Sequence, residues 1–487
     1  MRAIRTRQLF DGGDQVQSVF GNTRASTFLR DAASFTDSVD IITIGDSNSG
    51  SSGNCGYQFG LATACAMNGM PVYATPLVMC AGNAGANNRS GGMFLPLNQF
   101  SWSGVTGNLT TLRTAAAASN ANALAIETAL GYSTSNLIIP YSFTWDGAFV
   151  ASGNTFTSPA NGTRVRVLRP STMTEGTGAG GTSCQYRLVH GTFNSGSGQF
   201  KLLAMRGTNT IVAQSASFIS TNTGTNGYAT EYLDFTSPTV ASAPVEFTCA
   251  YDGYNNTAAS YQITGPFCAL WHSVIEKRKG FSVSNLLYQG GATVTNIADK
   301  IVDMGDLLTS YLKELRERQI AASGSGRVIV WCNAGVNGPS DGSTWTAQME
   351  RIRNQFVAKW VTTLGYPAND LAFVLSVTHP QAAGATETTL AATRETANAW
   401  ALGAGSNVSV VDISKLFTYT NLSARRLYQA VTNTESTAHL WESITPGAGI
   451  VTATDRYATG YGYDIHILNN GYSVVGNAIM KALLAAE

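Results

Sequence analysis

The sequence predicts an α/β protein: a doubly wound parallel sheet interrupted by an inserted antiparallel module of β-sandwich or jelly-roll type. Three observations predict it. In residues 37–80 and 281–487, apolar β-branched runs alternate with segments of helical spacing, a rhythm that requires right-handed crossovers and a sheet covered on both faces. Between residues 137 and 278 this rhythm gives way to short alternating runs bounded by Gly, Asn and Ser turns, with no helical segment between them. At 487 residues, the chain is also too long for one compact core. The expected organisation is an extended amino-terminal arm (1–36), a first part of the α/β domain (37–136), the β-rich insert (137–278) and a second part of the α/β domain (279–487).

Residues 1–36 show no period that we read as an element. The first strand is Ile41-Ile42-Thr43-Ile44, stopped by Gly45-Asp46-Ser47-Asn48, because β-branched residues fit a pleated strand and small polar residues end one. A mostly apolar helix follows over 57–68 and closes at Asn68-Gly69. A short strand is expected at 71–75, and an Ala-rich helix at 112–130 after a Gly/Asn-rich loop. In the insert, 164–168, 185–189, 200–205 and 245–251 read as strands. The α/β rhythm resumes with a strand at 282–287, then one long amphipathic helix with Ile297, Ile301, Met304, Leu308, Leu312 and Leu315 on a single face. Strands at 328–332, 371–377 and 407–413 alternate with helices at 344–361 and 386–402, and a last helix spans 472–484.

Composition narrows the function classes. Thirty basic and thirty acidic side chains give a formal charge of zero, and no block of Lys/Arg provides the electrostatic footprint of a nucleic-acid binder. No run reaches the ~18 apolar residues of a membrane helix, and the start lacks an apolar core of signal-peptide length. Charged residues are only 12% of the chain, while Gly, Ser, Thr and Asn abound, which suits a soluble extracellular or virion-associated protein. The seven cysteines show neither CxxC spacing nor a Cys/His cluster, so no metal site is expected; Cys332, inside an apolar run, reads as a buried thiol.

Four separated blocks carry chemistry. Gly45-Asp46-Ser47 closes a strand, Gly290-Gly291-Ala292-Thr293 opens a helix, Gly335-Val336-Asn337 follows a strand, and Asp464-Ile465-His466 precedes the last helix. Alone, each is an ordinary turn or helix-entry sequence. Together and in this order they resemble the SGNH hydrolases, the branch of GDSL-type esterases and lipases named for four residues in such blocks. The resemblance covers about half the chain, 37–80 and 281–487, and leaves the insert outside. It implies a flavodoxin-like sheet and a serine esterase without metal or cofactor. Ser47 would be the nucleophile, His466 the base and Asp464 its orienting carboxylate; the oxyanion donors would be the Ser47 N–H, the Gly291 N–H and the Asn337 side-chain amide.

Two departures from the family pattern stand out. One residue, rather than two, separates Asp464 from His466, and Gly338 follows Asn337 where many members have Asp. An extended segment still puts residues i and i+2 on one side. The other histidines, His190, His272, His379 and His439, read as packing or surface residues. Trp102, Trp145, Trp271, Trp345 and Trp441 are left without a role.

Two function classes follow. One is an esterase that removes small acyl groups, acetyl foremost, from an acylated polysaccharide or small ester. The other is a receptor-binding or structural virion component, a tail, fibre or capsid-surface protein, that keeps the fold for glycan recognition. Homo-oligomers or a virion assembly are the expected protein partners, with no nucleic acid and no membrane span.

Overall fold

The computed structural model describes residues 18–46, 48–49, 56–70, 72–74, 78–79, 150–152, 155–157, 165–169, 183–192, 199–206, 210–225, 227–236, 247–252, 269–289, 292–335, 337, 341–378, 387–403, 407–413 and 469–486. The chain divides into two compact units. One comprises Met1–Met70, Gly290–Asp299 and Arg327–Glu487, the other Pro71–Gln289 and Lys300–Gly326.

In chain order, the strands of the α/β unit and the helices are β1 (Val19–Gly21), α1 (Arg24–Ala33), β2 (Ser38–Asp46), α2 (Gly56–Met67), α3 (Val294–Asp303), α4 (Asp306–Ser323), β3 (Arg327–Ala334), α5 (Gly342–Val357), β4 (Leu371–Val377), α6 (Glu387–Gly403), β5 (Val408–Val411) and α7 (Asn469–Ala485). Strands β2, β3, β4 and β5 are parallel neighbours in that order, and β1 closes the β5 edge antiparallel. The register sets Ile41 beside Ile329 and Ile329 beside Ala372.

Every residue of β2, β4 and β5 is buried, which requires cover on both faces. Helices α5 and α6 pack together on one face, where Phe356 meets Phe373 edge-on at 6.1 Å. Helix α1 covers the other, its Phe28 ring 4.9 Å from the Arg327 guanidinium carbon, and α7 packs against both α1 and α2. A Cβ on Gly476 of α7 would collide with the backbone of Gly60 in α2, so these helices touch backbone to backbone. Asn68 Nδ2 adds a 2.9 Å bond to Asn477 Oδ1 at the same junction.

The β-rich unit contains two larger antiparallel sheets, besides the two-stranded pair Val150–Ser152 and Thr155–Thr157. Val165–Arg169, Gln199–Arg206, Thr210–Gln214, Ile219–Ser220 and Phe247–Asp252 form one. Val78–Met79, Ser183–Thr192, Gly227–Thr236 and Ala269–Glu276 form the other. The buried His190 ring, from the second sheet, meets Phe200 of the first edge-on at 4.9 Å, a packing role as its β context suggested. Helix α4 lies on the second sheet, with Trp271 edge-on to Tyr311 at 5.7 Å.

Beneath α4 the Arg187 guanidinium is held on all three nitrogens. Its Nε and Nη2 donate to the Glu314 carboxylate at 2.7 and 3.1 Å, Nη1 donates to Gln185 Oε1 at 2.8 Å, and Nη2 also reaches Glu317 at 3.0 Å. Burial pushes the Glu314 carboxyl upward against the pull of Arg187.

The structure corrects several sequence expectations. Residues 24–33, read as part of an extended arm, form α1, whose Ala25, Phe28, Leu29 and Ala32 are buried at helical spacing. The single long helix is two, α3 and α4, because Gly305 takes φ +50° between them; its apolar face stays buried across the break. The short strand expected at 71–75 is reduced to isolated bridges at Val72 and Ala74. After α5 the chain widens into a π-helical turn, Ala358–Thr363, that seats the buried Trp360. The helix expected at 112–130 lies outside the described residues.

Candidate active site

The carboxyl ends of β2, β3 and β4 stop side by side, with Gly45 paired to Asn333 and Asn333 to Ser376. In open α/β sheets this edge is where ligands bind. Gly45 is glycine for a spatial reason: a Cβ there would collide with the Asn333 carbonyl oxygen and Ser49 Oγ. Asp46, fully buried, pins the turn that follows, its Oδ1 accepting the Asn48 N–H at 2.9 Å and its carbonyl the Ser49 N–H at 3.0 Å. Ser49 Oγ donates to the Ile44 carbonyl at 3.2 Å, and the Tyr57 N–H, near the start of α2, donates to the Asn48 carbonyl at 2.8 Å. Ser47 itself lies outside the described residues; its chain neighbours Asp46 and Asn48 are both fully buried.

Gly291 also lies outside them, but the residues after it are ordered into a helix entry. Thr293 and Asn296 form a reciprocal cap on α3: the Thr293 N–H donates to Asn296 Oδ1 at 3.1 Å and the Asn296 N–H to Thr293 Oγ1 at 3.3 Å. Asn337, half-buried, donates from Nδ2 to the Ala292 carbonyl at 3.2 Å. The third sequence block is thereby bonded to the second. A carboxamide nitrogen carries two hydrogens, so one N–H of Asn337 remains for another acceptor. Gly335, with φ +128°, makes the sharp exit from β3 that leads to Asn337, and the Trp345 Nε1–H anchors that exit on the Ala334 carbonyl at 3.2 Å.

Asp464 and His466 lie outside the described residues. The helix after them, α7, is the one pressed against α2, which itself follows Ser47 in the chain.

Other polar side chains at this edge were not singled out by sequence. Asp412, just past β5, is buried with Arg394 at 3.6 Å and accepts from Asn398 Nδ2 at 2.8 Å. Asn333, Ser376 and Thr378 are fully buried as well. The Cys332 thiol is driven far above its usual range by burial first and the Asp46 charge second, so it is inert as a nucleophile. Trp271 and Trp345 are core residues with no exposed face for a sugar. Among the described residues no cluster of three metal-ligating side chains occurs, and no helix is long and apolar enough to cross a membrane.

No family model and no curated protein matches this chain. Among solved structures, a peptidoglycan O-acetylesterase is similar over 95% of this chain and 96% of its own, at 12% identity and a TM-score of 0.43. A family two carbohydrate esterase from Clostridium thermocellum, in complex with cellohexaose, matches 69% of this chain and 95% of its own at 12% identity and a TM-score of 0.23. One from Cellvibrio japonicus matches 55% and 84% at 8% identity and a TM-score of 0.19. Likeness at this level assigns no activity, and the chemistry has to come from the residues of the chain itself.

Proposed function

We propose that the protein is a serine carboxylic-ester hydrolase that removes small acyl groups, acetyl foremost, from a carbohydrate. The observation that carries this reading is the Asn337 Nδ2 bond to the Ala292 carbonyl, which joins two blocks 45 residues apart at the carboxyl edge of the sheet where β2 delivers the Gly-Asp-Ser turn. In this reading Ser47 Oγ attacks the ester carbonyl as His466 accepts its proton. The oxyanion is met by the Ser47 and Gly291 N–H groups and by the free N–H of Asn337. Collapse expels the sugar alkoxide, which takes the proton from His466, and leaves acyl-Ser47. Water, deprotonated by His466, then releases the carboxylate and restores Ser47. Asp464 holds the imidazole in the tautomer that accepts from Ser47.

Acetate release from acetylated saccharides, and p-nitrophenol release from its acetate ester, test the reading. Ser47→Ala is expected to lower kcat by at least about 1,000-fold, and Asn337→Ala by about 100- to 1,000-fold, the usual penalty for a lost oxyanion donor. Equal turnover by wild type and Ser47→Ala would exclude the nucleophile. Glycan binding by a wild type without turnover would favour the recognition role instead.

A further inference from the structure

Buried polar groups normally find partners, and one side chain of the α/β unit has neither of its polar atoms paired. Asn333, the penultimate residue of β3, is fully buried, yet neither its amide nitrogen nor its amide oxygen makes a hydrogen bond. Among the described residues no other side chain has two buried polar atoms without a hydrogen bond. Its register neighbours are Gly45 on β2 and Ser376 on β4, so the three lie side by side on the face that α1 covers. Ser376 Oγ, and Thr378 Oγ1 just beyond β4, are also buried without a partner.

A leucine has nearly the shape of asparagine and would fill the place without leaving a donor and an acceptor unmatched, so a scaffold has no use for the amide there. The turn of the proposed nucleophile packs directly on this residue: a Cβ on Gly45 would collide with both the Asn333 carbonyl oxygen and Ser49 Oγ. We propose that Asn333, assisted by Ser376 and Thr378, is a positioning residue for the turn 45–49. Its amide gains its partners from that turn when an ester is bound, and so holds Ser47 in line for attack. It touches no substrate. This inference rests on the ester-hydrolase reading above.

Thermal melting and p-nitrophenyl acetate kinetics on the full chain test it, with wild type, Asn333→Leu, Thr378→Val and Thr378→Ser. Asn333→Leu should melt at or above the wild-type temperature while kcat falls about 100-fold and KM stays nearly constant, the signature of a misplaced rather than unbound reactant. Thr378→Val should lose a smaller factor in kcat, which Thr378→Ser restores. A lower melting temperature for Asn333→Leu would make the amide structural and overturn the proposal, as would an unchanged kcat. If Asn333→Leu does not fold, the Thr378 pair decides: a loss rescued by serine supports the proposal, and no loss overturns it. Absence of turnover in the wild type is a different failure, because it removes the ester-hydrolase reading itself and this inference with it.

Discussion

The two units each bury a polar side chain beside a sheet, and they treat it in opposite ways. In the β-rich unit Arg187 is closed upon itself: three nitrogens, four hydrogen bonds, and a carboxylate pinned between helix and strand. In the α/β unit Asn333 is equally buried and has nothing to bond to. A satisfied network is what a scaffold keeps, since each charge left without its partner would weaken the fold. An unsatisfied amide at the carboxyl edge of a parallel sheet persists only where something other than stability retains it. The β-rich unit also seals in single hydroxyls without partners, at Ser273, Thr309 and Ser310, so the contrast lies between a charged group held on every nitrogen and a whole amide left unmatched.

The largest effect that would break this contrast lies in the β-rich unit. Glu314→Ala leaves the Arg187 charge buried, and urea unfolding should show a loss of about 3–5 kcal/mol; replacing both partners together, as Arg187→Met with Glu314→Leu, should recover most of it. A neutral Glu314→Ala would mean that the network is not structural. Next comes Gly45→Ala, where the added methyl meets the Asn333 carbonyl and Ser49 Oγ. It should destabilise the fold by about 1–3 kcal/mol and lower kcat more than Asn333→Leu does, since it moves the same turn directly.

Smallest is Asp341→Ala at the start of α5. Asp341 accepts from the Thr344 N–H at 2.7 Å and from Ser343 Oγ at 2.5 Å, and these bonds hold its carboxyl below the usual range, the Ser343 hydroxyl contributing most. A depressed folded-state pKa gives stability that is complete above the unfolded value, about 3.9, and is lost as pH falls through the folded one. The melting temperatures of Asp341→Ala and wild type should therefore differ slightly at neutral pH and converge in strong acid.

How much of this was legible in the sequence depended on whether the signal was periodic. Strand β4 matches its apolar run residue for residue, and α5, α6 and α7 differ from their sequence limits by a few positions, because apolar runs and helical spacing are read directly from the order of residues. Helix α1 was missed although Ala25, Phe28, Leu29 and Ala32 carry the spacing, because the interleaved polar residues make its apolar stripe narrow. The break at Gly305 was hidden for the opposite reason: the apolar face runs through it unbroken. At the candidate site, the motif singled out Asn337 but not its bond to Ala292. Asp46 as the staple of the turn was not legible, and Asn333 still less, since a polar residue near the end of a strand looks the same in sequence whether it is solvated or sealed in.

The contact between Gly60 and Gly476 has a consequence for how such a protein comes into being. Asn68 and Asn477, bonded at that junction, are 409 positions apart in the chain, so the clasp forms only after every residue between them has been made. Closing so long a span is slow, because chain entropy must be lost before the contact rewards it. During synthesis the emerging protein is therefore expected to complete its β-rich unit, which ends at Gly326, before α7 docks on α2.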